Sequence, residues 1–238
     1  MASILITGSG RRLGRGLALN YALKGWNVIL HYNNSNEIAY HTLKEIKSIG
    51  VNATIFQADV KNFDDFKAGF ERILNDIEYP EVLVNNAAIY PSSRNLSNTD
   101  EWLWDEVMNT NLKAYFLISK LFSEKAKTGS RVINIASLGA FQIWKGRIPY
   151  NVSKAGVIQL TKALAKDLAP KISVNSVSPG SIDIENEAPT DGLALKVENI
   201  PMKRYGNIKD VFDAVYFFST ASSYITGQNI NVDGGYYL

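Results

Sequence analysis

The 238-residue chain is 46% hydrophobic and 20% charged, which suits a packed globular fold and excludes a disordered one. Lys and Arg number 25 against 23 Asp and Glu, a net charge of +2, and no dense basic run exists to recruit nucleic acid. No cysteine and only two histidines, His31 and His41, are present, which removes thiol chemistry and argues against a metal centre or a Ser-His-Asp triad.

Residues 3–7 (Ser-Ile-Leu-Ile-Thr) read as a short buried strand running into glycine. A helix follows from Leu13 to Lys24, with Leu13, Leu17, Ala18, Tyr21 and Ala22 on one face and Gly25 as its stop. The cycle repeats with strand 28–32 and helix 36–49, strand 53–58 and helix 62–77, then strand 81–85 and one long helix around 101–127. Strand 131–136, helix 150–168, strand 172–177, helix 208–220 and strand 229–233 complete it. Seven strands alternating with helices predict an α/β fold, a doubly wound parallel sheet with helices on both faces, in one domain spanning 1–238. The long irregular stretch 180–207 is expected to be a substrate lid. No apolar run reaches the ~7–15 residues of a secretory segment or the ~18 of a membrane span, so the expectation is a cytoplasmic protein with no membrane partner.

In such a sheet, ligands bind beyond the carboxyl ends of the strands. After the first strand comes Thr7-Gly8-Ser9-Gly10-Arg11-Arg12-Leu13-Gly14, a glycine-rich turn that opens a helix and can offer backbone N–H groups to a pyrophosphate. Strict G-x-G-x-x-G spacing fails at Leu13, and taken alone the stretch is equally a tight strand-to-helix turn. The second strand ends in Asn33-Asn34-Ser35, without the carboxylate that accepts the ribose hydroxyls of NAD and repels a 2′-phosphate. With Arg11 in the loop, this favours NADP(H), with NAD(H) as the alternative cofactor.

Tyr-x-x-x-Lys puts a phenol and an amine on one helix face, and three such pairs occur: Tyr40/Lys44, Tyr150/Lys154 and Tyr205/Lys209. Only Tyr150 opens a helix beside a proline suited to its first turn and follows a strand that ends in a serine, Ser137. A phenol is a poor acid or base at neutral pH unless its anion is stabilised; the Lys154 ammonium would do that. The Ser137 hydroxyl would hold a substrate oxygen while Tyr150 protonates it, complementing hydride delivery from a reduced nicotinamide.

From Ser3 to about Gly235 the chain resembles the short-chain dehydrogenase/reductase family, in the ordered set Thr7-Gly8…Gly14, Asp59-Val60, Asn85-Asn86-Ala87-Ala88, Asn109-Thr110-Asn111-Leu112, Ser137, Tyr150-x-x-x-Lys154, Pro179-Gly180 and Val232-Asp233-Gly234-Gly235. The resemblance implies a Rossmann-type NAD(P)-binding fold with Ser137, Tyr150, Lys154 and Asn111 as the catalytic group. Asn111 would hold a water that relays protons to Lys154, and Lys154 would also bind the nicotinamide ribose. The implied cofactor set is Gly8, Gly10, Arg11, Arg12, Leu13 and Gly14; Tyr32 with Asn33, Asn34 and Ser35; Asp59 and Val60 at the adenine; Asn86, Ala87 and Ala88; Tyr150 and Lys154; and Pro179, Gly180 and Ile182. No metal is implied. Two positions depart from the pattern. Arg12 replaces the usual middle glycine, which with His31-Tyr32 resembles the pteridine reductase branch, although that branch typically carries Asp where this chain has Ser137. Ile184 stands where the family often has a threonine.

Tyr90, Pro91, Leu138, Phe141, Ile143, Trp144 and the segment 181–200 are expected near the mouth of the site, where aromatics can enclose a flat ring or an acyl chain. Arg94, Lys145 and Arg147 could attract an anionic substrate. The expected function is NADPH-dependent reduction of a small-molecule carbonyl, with 3-oxoacyl thioesters the family's commonest substrate. The alternatives are a pteridine-type reductase acting on C=N and a non-catalytic NADP-binding regulator. The family resemblance also implies a homotetramer, or a homodimer, built on the helices around 101–127 and 150–168, with Tyr236-Tyr237-Leu238 near another interface.

Overall fold

The computed structural model describes residues 2–184 and 195–238. All seven predicted strands are present: β1 (Ser3–Ile6), β2 (Asn27–Tyr32), β3 (Ala53–Gln57), β4 (Val82–Asn85), β5 (Ser130–Ile135), β6 (Ile172–Pro179) and β7 (Asn229–Val232). They form one sheet in the order β3-β2-β1-β4-β5-β6-β7, parallel throughout. The helices are α1 (Arg12–Leu23), α2 (Asn36–Ser48), α3 (Phe63–Ile73), α4 (Glu101–Met108), α5 (Ala114–Lys125), α6 (Ile148–Leu168) and α7 (Ile208–Thr220).

Strand alternation decides which helix layer each residue meets. Leu5, Ile29, Leu83 and Val132 bury against Phe66 and Phe70 of α3, Ile118 and Phe122 of α5 and Leu164 of α6. Their strand neighbours Ile4, Ile6, Val28, Leu30, Val82, Val84 and Ile133 bury on the opposite face, against Leu17 and Tyr21 of α1, Ile46 of α2 and Phe212 of α7. Both faces are dry, which is why these strands read as continuous apolar runs rather than alternating ones. A buried polar ladder crosses the first layer: Asn85 donates to Ser119 and Asn134 at 2.9 Å each, and Asn134 donates to Thr161 at 2.9 Å.

Several boundaries differ from the sequence reading: α3 stops at Ile73 rather than 77 and β6 runs on to Pro179. The expected single helix 101–127 is split by a π-turn at Asn109–Lys113 between α4 and α5. Asn111 lies in this turn, and its side chain bonds to Ile89 and Ser153 outside it. α6 begins at Ile148, so Pro149 lies inside its first turn. Of the expected lid 180–207, residues 185–194 lie outside the described residues. Among the described residues no helix is long and apolar enough to cross a membrane.

Candidate active site

The strand order reverses between β1 and β4, so the chain leaves these adjacent strands in opposite directions and opens a crevice beyond their ends. Thr7 and Asn86 lock that crevice. The Thr7 hydroxyl accepts the N–H groups of Asn86 (2.9 Å) and Ala87 (3.0 Å), and the Asn86 amide donates to the carbonyls of Thr7 (2.9 Å) and Gly8 (3.2 Å). Gly8 has φ +65°, and a Cβ there would lie 2.8 Å from Ala87 Cα; one on Gly14 would lie 2.3 Å from the Gly8 carbonyl oxygen. The loop therefore needs glycine at both positions. Arg12 takes φ +53°, the left-handed conformation a middle glycine would adopt without strain.

The cradle fits a pyrophosphate. α1 starts at an extended Arg11 that makes no side-chain cap, and its first turn holds no acid, whereas α3, α4 and α7 are capped by Asn62, Asp100 and Asn207. An uncapped N-terminus leaves N–H groups and a positive dipole end for an anion. Gly10 brings this loop against the end of β2, since a Cβ on it would lie 3.0 Å from Tyr32 Cβ and 3.2 Å from Ser35 Cβ. Arg11 is exposed in this loop, and Asn33 and Asn34 are exposed just after β2. Asn33 is braced by Gln57, which donates to its carbonyl at 2.7 Å. Tyr32 is buried and donates to Asn36 at 2.9 Å, and Leu13 packs against the α1-side core, so these two shape the loop's surroundings. Asp59 lies beyond β3, receiving the Lys61 N–H at 3.0 Å, and Val60 is buried beside it. Ala88 is exposed after β4. Pro179 ends β6, and Gly180 donates to the Val232 carbonyl at 2.9 Å. The Ile182 side chain lies over Gly206, which leaves its backbone as what it can offer a cofactor.

His31, which entered the sequence reading as a mark of resemblance, has a structural role in the loop. Its Nδ1 accepts the Gly8 N–H at 3.0 Å, so its proton sits on Nε2, which donates to the Ala58 carbonyl at 3.0 Å. Burial holds its pKa down at about 4, and the neutral ring ties the glycine loop to the end of β3. Below pH 6.5 the unfolded chain binds a proton that the folded ring refuses. The His31 contribution to stability is thus complete above about pH 6.5 and lost as pH falls through about 4, a swing of about 3 kcal/mol. Urea melts at successive pH values should show this acid step in the wild type and a shallower one in His31→Asn, whose amide oxygen can still accept from Gly8.

Across the crevice, Ser137 is extended and accepts the Gly139 N–H at 3.1 Å. Its hydroxyl faces the Tyr150 phenol and favours the phenolate. Lys154, one turn further along α6, is buried; its ammonium donates to the Ile135 carbonyl at 2.8 Å and lies 6.0 Å from the Tyr150 ring centroid. Burial pushes Lys154 down to about 7. Although part of Tyr150 stays open to the crevice, desolvation pushes its phenol up to about 12; Tyr90 adds to the rise, while Ser137 and Arg147 counter it. Asn111 donates to the Ile89 carbonyl (3.0 Å) and to Ser153 (3.3 Å) and accepts the Ile89 N–H (2.9 Å). Both amide hydrogens are committed, so a water can be held only on an acceptor of this residue. The decoy Tyr40 is half exposed on α2, and the decoy Lys209 is paired with Asp213 at 2.7 Å on α7.

Of the expected mouth residues, Tyr90 and Trp144 meet Tyr150. The Tyr90 ring lies edge-on at 4.7 Å and the Trp144 ring lies parallel, within 9°, at 6.2 Å. One member of that group, and one of the three cations expected to attract an anionic substrate, do not fit the reading. Leu138 is wholly buried, so it is core rather than lining. Arg147 is 1% exposed, buried in the site rather than standing at its rim. Phe141 packs on Tyr237 at 5.6 Å, and Gln142 donates to Tyr236 at 3.5 Å, so the C-terminal segment lies along residues 141–142 of its own chain.

The family profile described as Enoyl-(Acyl carrier protein) reductase matches residues 8–237. The 3-oxoacyl-[acyl-carrier-protein] reductase FabG of Staphylococcus epidermidis is 38% identical over 99% of both chains, and the 3-oxoacyl-[acyl-carrier-protein] reductase of Synechocystis is 37% identical over 97% of this chain and 95% of its own. A Burkholderia cenocepacia short-chain dehydrogenase in complex with NADP superposes with a TM-score of 0.93 at 29% identity, covering 100% of this chain and 98% of that one. A metagenomic blue fluorescent protein in complex with NADPH does so at 0.92 and 27%, with the same coverage. The chain belongs to the short-chain dehydrogenase/reductase family.

Proposed function

We propose that the protein is an NADP(H)-dependent oxidoreductase that interconverts a carbonyl and an alcohol, with 3-oxoacyl thioesters as its substrate class. The observation that carries this reading is the convergence of Ser137, Tyr150 and Lys154 across the switch-point crevice from an uncapped glycine loop. Relatives named for 3-oxoacyl-[acyl-carrier-protein] reduction and neighbours that hold NADP and NADPH support it. Residues 1–238 act as one cofactor-binding unit, with 180–207 covering the substrate.

Bound NADPH supplies the hydride. The chain supplies everything that makes the carbonyl accept it. Ser137 holds the carbonyl oxygen by a hydrogen bond, and Tyr150 donates its phenolic proton as negative charge develops there. Lys154 stabilises the phenolate left behind, and Asn111 holds the backbone at Ile89, next to Tyr90. Tyr90 and Trp144 enclose the reacting end and limit water.

Gly8, Gly10, Leu13 and Gly14 form the phosphate cradle, with Arg12 at its turn. Arg11, Asn33, Asn34 and Ser35, with Tyr32 behind them, take the 2′-phosphate. Asp59 and Val60 take the adenine. Asn86, Ala87, Ala88, Pro179, Gly180 and Ile182 border the nicotinamide half. Arg11→Ala is expected to weaken NADPH about tenfold, the worth of one charge-assisted hydrogen bond, and to change NADH less than twofold. Dinucleotide titrations followed by fluorescence decide it, and equal losses would remove the argument for NADP.

A homo-oligomer in the cytoplasm, tetramer or dimer, completes the reading. Exposed Trp102, Trp104 and Phe116 on α4 and α5, with Ile148 and Val152 on α6, give such an assembly apolar surface. The function is tested by NADPH consumption with acetoacetyl-CoA, diacetyl and dihydrobiopterin. Turnover of the thioester sustains the reading. Turnover of dihydrobiopterin alone would make the protein a pteridine-type reductase, and tight NADPH binding with no turnover would make it a regulator.

A further inference from the structure

We propose that Arg147 is a second cationic partner of the Tyr150 phenol, a positioning residue that acts on it alongside Lys154. The inference rests on the reading of Tyr150 as the proton donor. Arg147 caps α6 three residues before Tyr150 and is 1% exposed. Its guanidinium lies 4.2 Å from the centroid of the Tyr90 ring, and that ring meets Tyr150 edge-on at 4.7 Å. The Tyr90 ring thus touches both the guanidinium and the Tyr150 ring, and its π-face stabilises the cation that burial would otherwise penalise.

The backbone holds the arginine in place. Its N–H donates to the Trp144 carbonyl at 3.2 Å, and its own carbonyl accepts from Asn151 at 2.9 Å. Gly146, at φ +77°, bonds through its carbonyl to the Arg94 N–H at 3.0 Å and leaves no room for a side chain, since a Cβ would sit 2.1 Å from the Ser93 hydroxyl.

Among the described residues, the groups facing the phenol are Lys154 and Arg147 from α6, Ser137 from the turn after β5, Tyr90 from the segment after β4 and Tyr115 from α5. Only two of these are cationic, and they behave differently. Burial brings Lys154 down to about 7, so it loses much of its charge within the working range. A guanidinium cannot be deprotonated in a protein. The Arg147 charge favours the phenolate and persists at pH values where the lysine is neutral.

The test compares Arg147→Gln, Arg147→Met and Arg147→Lys in the NADP-linked oxidation of a 3-hydroxybutyryl thioester across pH. Loss of the charge should move the ascending limb of kcat upward by about one pH unit, and Arg147→Lys should keep it near the wild-type position at neutral pH. An active, folded Arg147→Gln or Arg147→Met with an unmoved limb overturns the proposal. So does a raised KM with an unmoved limb, which would make Arg147 a substrate-anion contact. Failure of both neutral variants to fold, with Arg147→Lys intact, assigns the residue a purely structural role and likewise overturns it. The carbon-13 Cζ resonance of Tyr150 in the NADP complex, assigned with Tyr150→Phe, reports the same movement without turnover. A wild type that turns over nothing while that resonance responds to Arg147 would fail the functional reading and not this one.

Discussion

Tyr150→Phe should lower kcat for carbonyl reduction by about a thousandfold, within the range for a removed general acid, while the NADPH dissociation constant changes less than twofold. A thousandfold loss corresponds to about 4 kcal/mol of transition-state stabilisation. The substitution deletes one oxygen. The ring keeps its packing against Tyr90 and Trp144, so the fold and the cofactor cradle should persist. Because proton transfer belongs to the transition state, kcat should fall with little change in KM. Rapid-mixing measurement of NADPH consumption, paired with fluorescence titration of NADPH, separates the two quantities. A variant that retains a tenth of wild-type turnover would exclude Tyr150 as the proton donor. In the wild type, raising pH through about 7 neutralises Lys154, so support for the phenolate weakens just where the phenol needs it.

The architecture was legible because the central strands β1, β2 and β4, buried on both faces, are written as short apolar runs, and the outer strands repeat their spacing between helical patterns. What spacing could not convey is where a polar side chain spends its hydrogen bonds. Asn111 falls in the middle of a helical pattern, and nothing local says that its amide reaches Ile89, 22 residues away, from within a π-turn. His31 lies within an apolar strand and looked like a residue defined by the metal chemistry it cannot do. Its partner is the Gly8 N–H, 23 residues distant, although histidine directly across from a glycine turn in adjacent strands was a usable signal. Arg147 stands with Arg94 and Lys145 in sequence as a cation open to an anionic substrate, and nothing local shows that it is buried against the Tyr90 ring. Conversely, Ser137 and Tyr150 could be paired from sequence because each stands at the end or start of an element, where the direction of a side chain follows from topology.

Gly14→Ala should be the most damaging change outside the reacting group. The added methyl would stand 2.3 Å from the Gly8 carbonyl oxygen and 2.6 Å from the Asn86 amide nitrogen. Neither can withdraw cheaply: Gly8 is fixed by its bond to His31, and Asn86 by its bonds to Thr7 and Gly8. Accommodating the methyl means moving α1 away from the loop, at a cost of about 3 kcal/mol and a fall in Tm of roughly 6–12 °C for a chain of this size. The same movement carries the α1 N–H groups away from a pyrophosphate, so NADPH affinity should fall at least about tenfold, one hydrogen bond to a charged group being worth ~1.5–3 kcal/mol. Gly25→Ala is the control. Gly25 has φ +79° but nothing within reach of an added Cβ, so that variant bears only the left-handed backbone strain of about 1–2 kcal/mol and should bind NADPH as the wild type does. Scanning calorimetry with and without NADPH measures both quantities on each variant. If Gly14→Ala loses stability but keeps its full NADPH-induced rise in Tm, the loop is a structural turn and the dinucleotide lies elsewhere.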